Sequence, residues 1–173
     1  MQSQNNREMT KSIAISAMLL ALSMIFSYIE VLIPVDIAIP GVKLGLANLI
    51  VVSGIFYLKG RKVLLISIMR IILVALLFGN VMTLAYSLAG GILSFLVMLG
   101  LKQIKGFSVI GISVAGGVSH NIGQLLVAIL ILSSGKLLVY LPVLMISGLI
   151  TGALIGIVAA RVMKVLGIGR KAA

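Results

Sequence analysis

The sequence predicts an all-α integral membrane protein, one bundle of six transmembrane helices with both termini on the cytoplasmic side. Three observations predict it. Of 173 residues, 61% are hydrophobic and 10% charged, and the mean hydropathy is +1.30, so a small water-soluble globule would leave far too much apolar surface wet. The apolar residues gather in six runs divided by Pro, Gly, Lys and Arg. A bilayer core of about 30 Å needs about 20 such residues per helix, so six spans and short connections use the whole chain. Finally, the connections alternate between rich and poor in basic residues, the pattern that membrane insertion leaves.

Taken in order, residues 1–12, "MQSQNNREMTKS", form a cytoplasmic tail. The apolar run behind it is longer than a signal-peptide core and has no small-residue cleavage pattern after it, so span one, residues 13–33, stays in the mature protein. Pro34, Pro40 and Gly41 in "PVDIAIPGVK" break that helix and make the first outer loop. Span two covers residues 44–58, "KGRK" follows, and span three covers 63–78. Gly79 and Asn80 turn tightly into span four, which ends near Leu101. "KQIKG" separates it from span five, 107–132, and "SSGK" leads into span six, 137–162. Residues 13–163 are thus a single transmembrane domain, and 164–173 a basic cytoplasmic tail.

The cations orient the bundle. With the N-terminus inside, Arg7, Lys11, Lys59, Arg61, Lys62, Lys102, Lys105, Arg161, Lys164, Arg170 and Lys171 fall on the cytoplasmic side and only Lys43 and Lys136 outside, eleven against two. The net charge of +11 is therefore explained by insertion and by contact with anionic membrane lipid, with no nucleic-acid partner. A multi-pass protein of the plasma membrane is expected. There are no cysteines, which removes disulfides and thiolate metal sites.

One cation breaks the pattern. Arg70 stands near the midplane of span three, "KVLLISIMRIILVALLF", where an unpaired guanidinium costs at least about 2.5–3.5 kcal/mol. It is expected to face the bundle interior. Of the three acids, Glu8 lies in the N-terminal tail, while Glu30 and Asp36 lie near the outer end of span one and in the loop after it. Three readings stand: a structural partnership with Glu30 or with neighbouring hydroxyls and carbonyls, a counter-charge for an anionic ligand entering from outside, or a side chain snorkelling to the interface.

Polar residues at helical spacing mark further inward faces. In span four, Asn80, Thr83, Ser87 and Ser94 stand at offsets 0, 3, 7 and 14; in span five, Ser113, Gly117, His120 and Gln124 stand at 0, 4, 7 and 11, with Asn121 adjacent. Hydrogen bonding between helices accounts for isolated hydroxyls, but His120, Asn121 and Gln124 within five residues of "GGVSHNIGQLL" point to ligand binding. A metal role for His120 is disfavoured, because it is the only histidine and no cysteine joins it. Gly148, Gly152 and Gly156 at i, i+4 and i+8, and Ala17 and Ala21 at i, i+4, allow close helix contact.

Some chemistry is excluded. Asp36 is the only aspartate, whereas a prenyltransferase of the aspartate-rich type needs clustered carboxylates to hold magnesium on a diphosphate. No Gly-x-x-x-x-Gly-Lys-Ser/Thr loop cradles a nucleotide. Neither catalysis nor a cofactor is expected of this chain.

Six spans, "AMLLA" in span one and "IPGVKLGLANLI" entering span two resemble the substrate-binding S component of energy-coupling factor (ECF) transporters. More closely, "PGVKLGLANL", "MRIILVALLFGN", "SLAGGILS" and "GGVSHNIGQLLVA" resemble the small membrane family known both as Gx transporter and as heptaprenyl diphosphate synthase component I, over residues 10–165. The resemblance implies that Ala17 and Ala21 dock on a membrane coupling subunit above two cytoplasmic ATPases. It also implies an outward-facing pocket capped by the first loop, in which Lys43, Asn48 and the polar residues of spans four to six surround the ligand. The synthase description fits only a non-catalytic membrane partner of a soluble prenyl diphosphate synthase.

Three functions are thus expected in order. The first is an ECF-type substrate-binding subunit that captures a small anionic or amphipathic nutrient, with Arg70, Lys43, Asn48, Asn80, Thr83, Ser87, His120, Asn121, Gln124 and Glu30 as site residues. The second is an accessory subunit of prenyl diphosphate or quinone biosynthesis. The third is a structural interaction protein whose polar groups only pair helices.

Overall fold

The computed structural model describes residues 2–33 and 45–167, and all regular structure among them is helical. Lys43 and Asp36, the loop prolines, Arg170 and Lys171 lie outside the described residues. Helix α1 runs Gln2–Leu32, α2 Asn48–Tyr57, α3 Gly60–Phe78, α4 Val81–Gln103, α5 Val109–Leu132 and α6 Leu141–Val165, with a 3-10 turn, Gly135–Tyr140, before the last.

Local chemistry explains each boundary. Helix α1 begins well before the apolar run expected at residues 13–33, because nothing in the first turns breaks it and Gln, Arg, Glu, Met and Lys sustain a helix once started. Helix α2 begins later than the expected residue 44, since Gly45 adopts a left-handed φ of 74° that few other residues tolerate. Asn80 and Ser108 cap α4 and α5, accepting from the N–H groups of Thr83 (2.9 Å) and Gly111 (3.1 Å). Pro142 sits in the first turn of α6, where its missing N–H costs nothing. That is why the segment from residue 137, expected as one continuous span, opens instead with a 3-10 turn.

Four helical stretches are long and apolar enough to cross a membrane: Gln4–Leu32, Val81–Gln103, Val109–Leu132 and Gly135–Val165. The protein is therefore membrane-embedded. Helix α2 is short at 10 residues, and α3, with 19, carries Arg61, Lys62 and Arg70; these two do not meet the length and apolarity of the other four.

Helix pairing can be followed from side chain to side chain. Helices α1 and α3 run parallel, with Lys62 Nζ donating to Ser12 Oγ near one end and the Tyr28 and Phe78 rings meeting at 5.4 Å near the other. Helix α4 returns antiparallel to α3, so that Gly91 faces Ile71 and Leu99 faces Gly60. Each of α5 and α6 reverses again. One end of the bundle consequently gathers Arg7, Lys11, Lys62, Lys102, Arg161 and Lys164. There Lys102 Nζ donates to Ile55 O (2.6 Å) and lies 5.4 Å from the Phe56 ring centre.

The interior mixes small polar side chains with an apolar nucleus, and the outside carries large apolar ones. Ser23, Ser27, Ser67, Ser94, Ser113, Ser119 and Asn121 are buried, while Leu76, Leu130 and Val139 are 74%, 75% and 78% exposed. An apolar nucleus of Val52, Ile55, Phe95, Met98, Ile112 and Ala159 ties α2, α4, α5 and α6 together. The tightest seam is α5 on α6, where Gly148, Gly152 and Gly156 all lie. A β-carbon on Gly117 would meet Gly148 O at 2.4 Å, and one on Gly152 would meet Val114 Cα at 2.8 Å. The glycine repeat is a contact inside the bundle.

Candidate functional site

Arg70 is the natural starting point, as the one cation near the middle of a helix among the described residues. The parallel packing of α1 on α3 brings it to Ser27, whose Oγ accepts from Arg70 Nη1 at 3.1 Å. Arg70 Nε is fully buried and has no hydrogen-bond partner. Glu30, one turn beyond Ser27, accepts from the Gly45 N–H and reaches Arg70 only through its field. Of the expected partnerships for Arg70, the structure gives hydroxyl ligation across helices, with the carboxylate acting at a distance.

Among the described residues, narrow cavities lie between the helices, and two of them each have room for little more than a water-sized group. One, between α1, α2 and α3, is lined by Leu19, Ser23, Ile50, Val51, Ser67 and Arg70 among others. The second, between α2, α4, α5 and α6, is lined by Gly45, Asn48, Met98, Ser113, Gly117 and Thr151 among others. Two hydroxyls of this second wall are already committed: Ser113 Oγ donates to Gly152 O (2.8 Å) and Thr151 Oγ1 to Ser147 O (2.9 Å). Gly45 joins the two regions, since it binds Glu30 on one side and lines the Asn48 cavity on the other.

The expected site residues do not gather in one place. Arg70 and Glu30 belong to the α1–α3 side, and Asn48 to the second cavity. Asn80 and Thr83 serve the start of α4: Asn80 Oδ1 accepts from both the N–H and the hydroxyl of Thr83 (2.9 and 3.1 Å). Ser87 is half-buried on the same helix. The span-five trio splits, because residues 120 and 121 point about 100° apart on a helix. His120 and Gln124 pack on Gly90 of α4, where an added β-carbon would meet His120 O at 2.7 Å and Gln124 Cγ at 2.8 Å. Asn121 turns to α6 and donates to Leu144 O at 2.7 Å.

Sequence reasoning missed Ser23, Ser27 and Ser67. A signal existed, since Ser23 and Ser27 stand at i, i+4 inside span one, as an inward face requires. Ala17 and Ala21 are exposed on α1. Among the described residues no group of His, Asp or Glu could hold a metal ion. The side chains collected here can donate hydrogen bonds and positive charge, but they offer no carboxylate pair for acid–base work.

Comparison with known proteins gives one result. A family model described as heptaprenyl diphosphate synthase component I matches residues 19–162. No curated protein and no solved structure matches the chain.

Proposed function

The chain belongs to the heptaprenyl diphosphate synthase component I family, and from that premise we propose that it is the membrane-embedded, non-catalytic subunit of a prenyl diphosphate synthase. The observation that carries this is the family match over residues 19–162. The acid inventory assigns the chemistry to another chain: three carboxylates in 173 residues cannot build the clustered magnesium sites that a prenyl diphosphate needs. A soluble catalytic subunit is the partner, and this chain holds it at the membrane, where the growing product is soluble. Six spans, residues 13–163 as one domain and both termini cytoplasmic complete the reading, supported by the cations at one end of the bundle. That basic end would then face the soluble partner.

Co-expression with the soluble subunit tests the proposal. Co-purification in mild detergent, and long-chain prenyl diphosphate synthesis that requires both chains, are expected. A catalytic subunit that is fully active alone and does not bind this chain would overturn it.

A second reading has its own support. Ala17 and Ala21 are exposed on α1, where the docking surface of an ECF substrate-binding subunit is expected. In that case the ligand is a small anionic or amphipathic nutrient, and Arg70, Lys43, Asn48, Ser87, His120 and Gln124 are its proposed contacts. Native mass spectrometry after gentle solubilisation separates the two: a membrane coupling subunit with two ATPases favours transport, a soluble synthase favours the first reading.

A further inference from the structure

Resting on the membrane-subunit reading above, we propose that the first turns of α1, Gln4 to Lys11, and the α2–α3 turn beside them dock an acidic surface of the soluble catalytic subunit.

The shape of α1 comes first. The helix runs unbroken from Gln2 through polar residues into the apolar stretch. Every residue from 4 to 11 is exposed, and the one large apolar side chain among them, Met9, is 60% exposed. Farther along α1, exposed side chains are apolar and lipid covers them; before Ser12 they are polar, and lipid tails cannot. A helix advances about 1.5 Å per residue, which sets Arg7 about 7 Å and Gln4 about 12 Å beyond Ser12. That is at or past the outer edge of a headgroup layer about 5–7 Å deep. A helix that is polar on every side and stands clear of its own bundle is suited to bridging to another body.

Charge says what that body presents. Arg7 and Lys11 stand at i, i+4 on one face of the extension. Lys62 Nζ donates to Ser12 Oγ, and this contact sets the α2–α3 turn, with the exposed Lys59 and Arg61, beside the root of the extension. The ammonium groups that bond here meet neutral oxygens, Lys62 a hydroxyl and Lys102 the Ile55 carbonyl. Glu8 is the sole acid at this end among the described residues, and it points about 100° away from Arg7. Insertion explains why cations lie on this side of the membrane. It does not explain two of them held on a helix that rises past the headgroups. A carboxylate-rich protein surface complements that face and would be steered to it.

Binding of the purified soluble subunit to the full-length chain in phosphatidylcholine nanodiscs is the test. For wild type, the Kd should rise at least about tenfold between about 50 and about 300 mM sodium chloride. At the lower salt, Arg7→Glu with Lys11→Glu should raise it about tenfold. Glu8→Pro, which keeps both cations but breaks the helix that presents them, should raise it several-fold. Lys136→Glu, at the opposite end of the bundle, should leave it unchanged. Both tail variants lie outside the packed bundle, so a normal circular dichroism melt is expected of each. Equal Kd for wild type and the two tail variants would overturn the inference and leave the membrane-subunit reading standing. So would a reversal that alters only the phosphatidylglycerol retained in native mass spectrometry, since the extension would then serve lipid. A wild type that binds no soluble subunit at either salt would overturn both.

Discussion

The α5–α6 seam and the α1–α3 pairing solve the same problem in different ways. Between α5 and α6 the backbones themselves touch. A β-carbon on Gly117 would come within 2.4 Å of Gly148 O, and one on Gly156 within 2.8 Å of Ile110 Cα, so dispersion contacts run along the whole seam. Helix α1 makes no such contact with α3. It is held by Lys62 to Ser12, Arg70 to Ser27 and the Tyr28–Phe78 rings, and its apolar stretch is only 11% buried, against 28% for α5. Lipid offers no hydrophobic gain for helix association, so close packing and polar contacts must provide it. Both pairings carry hydrogen bonds, Ser113 to Gly152 O and Asn121 to Leu144 O in the α5–α6 seam, but only that seam adds glycine-to-backbone contact.

Crowding the seam should do the most damage. Gly117→Val places its first carbon against a main-chain carbonyl that cannot turn aside, so we expect a loss of about 3 kcal/mol or failure to fold, read as the midpoint of denaturation in mixed micelles. Gly91→Ala is the matched control. Its new carbon would also be too close, 2.7 Å from Ile71 Cδ1, but that atom ends a flexible side chain that can swing away. The expected loss is under about 1 kcal/mol. Equal effects at the two sites would mean that backbone contact is not what distinguishes the seam.

Asn121→Leu falls between these two. It removes the donation to Leu144 O while leaving the glycine contacts in place. Interhelical hydrogen bonds in membranes are worth about 1 kcal/mol, and that carbonyl keeps its own helix as partner. A drop of about that size in unfolding free energy, with an unchanged fold by circular dichroism, is the expected outcome. A drop as large as for Gly117→Val would show that the polar contact, not the glycines, anchors α6.

How much of this was legible beforehand follows from the same contrast. The glycine repeat 148, 152, 156 could be read directly, because its spacing states its geometry and only the partner helix was missing. The membrane character was equally plain from composition. Helix starts were less so. The helical tail from Gln2 and the restart at Pro142 depend on propensity and on a missing N–H, which an apolar run does not display. The candidate site was legible least. His120, Asn121 and Gln124 are neighbours in sequence, yet the helix turn sends them to different partners. Conversely, Arg70 and Ser27 are 43 residues apart, and no periodicity within one span can announce a contact between two.

The smallest expected effect is at Ser27, and it bears most directly on the looser half. Ser27→Ala removes the hydroxyl that takes Arg70 Nη1 but disturbs no helix hydrogen bond and no apolar packing, so the global melt should fall by only about 0.6 kcal/mol. The local consequence is visible because the chain has no cysteine of its own. Tyr28→Cys with Phe78→Cys puts two thiols where the rings now meet at 5.4 Å, and their oxidative cross-linking reports how much of the time α1 stays seated. A weakening of about 0.6 kcal/mol corresponds to about a threefold fall in the ratio of seated to unseated α1 in the Ser27→Ala background, read as slower cross-linking under mild denaturant where the two states are comparably populated. If the rate is unchanged, α1 is seated by its apolar contacts. The polar pairing with Arg70 then follows from the docking of α1 and does not cause it.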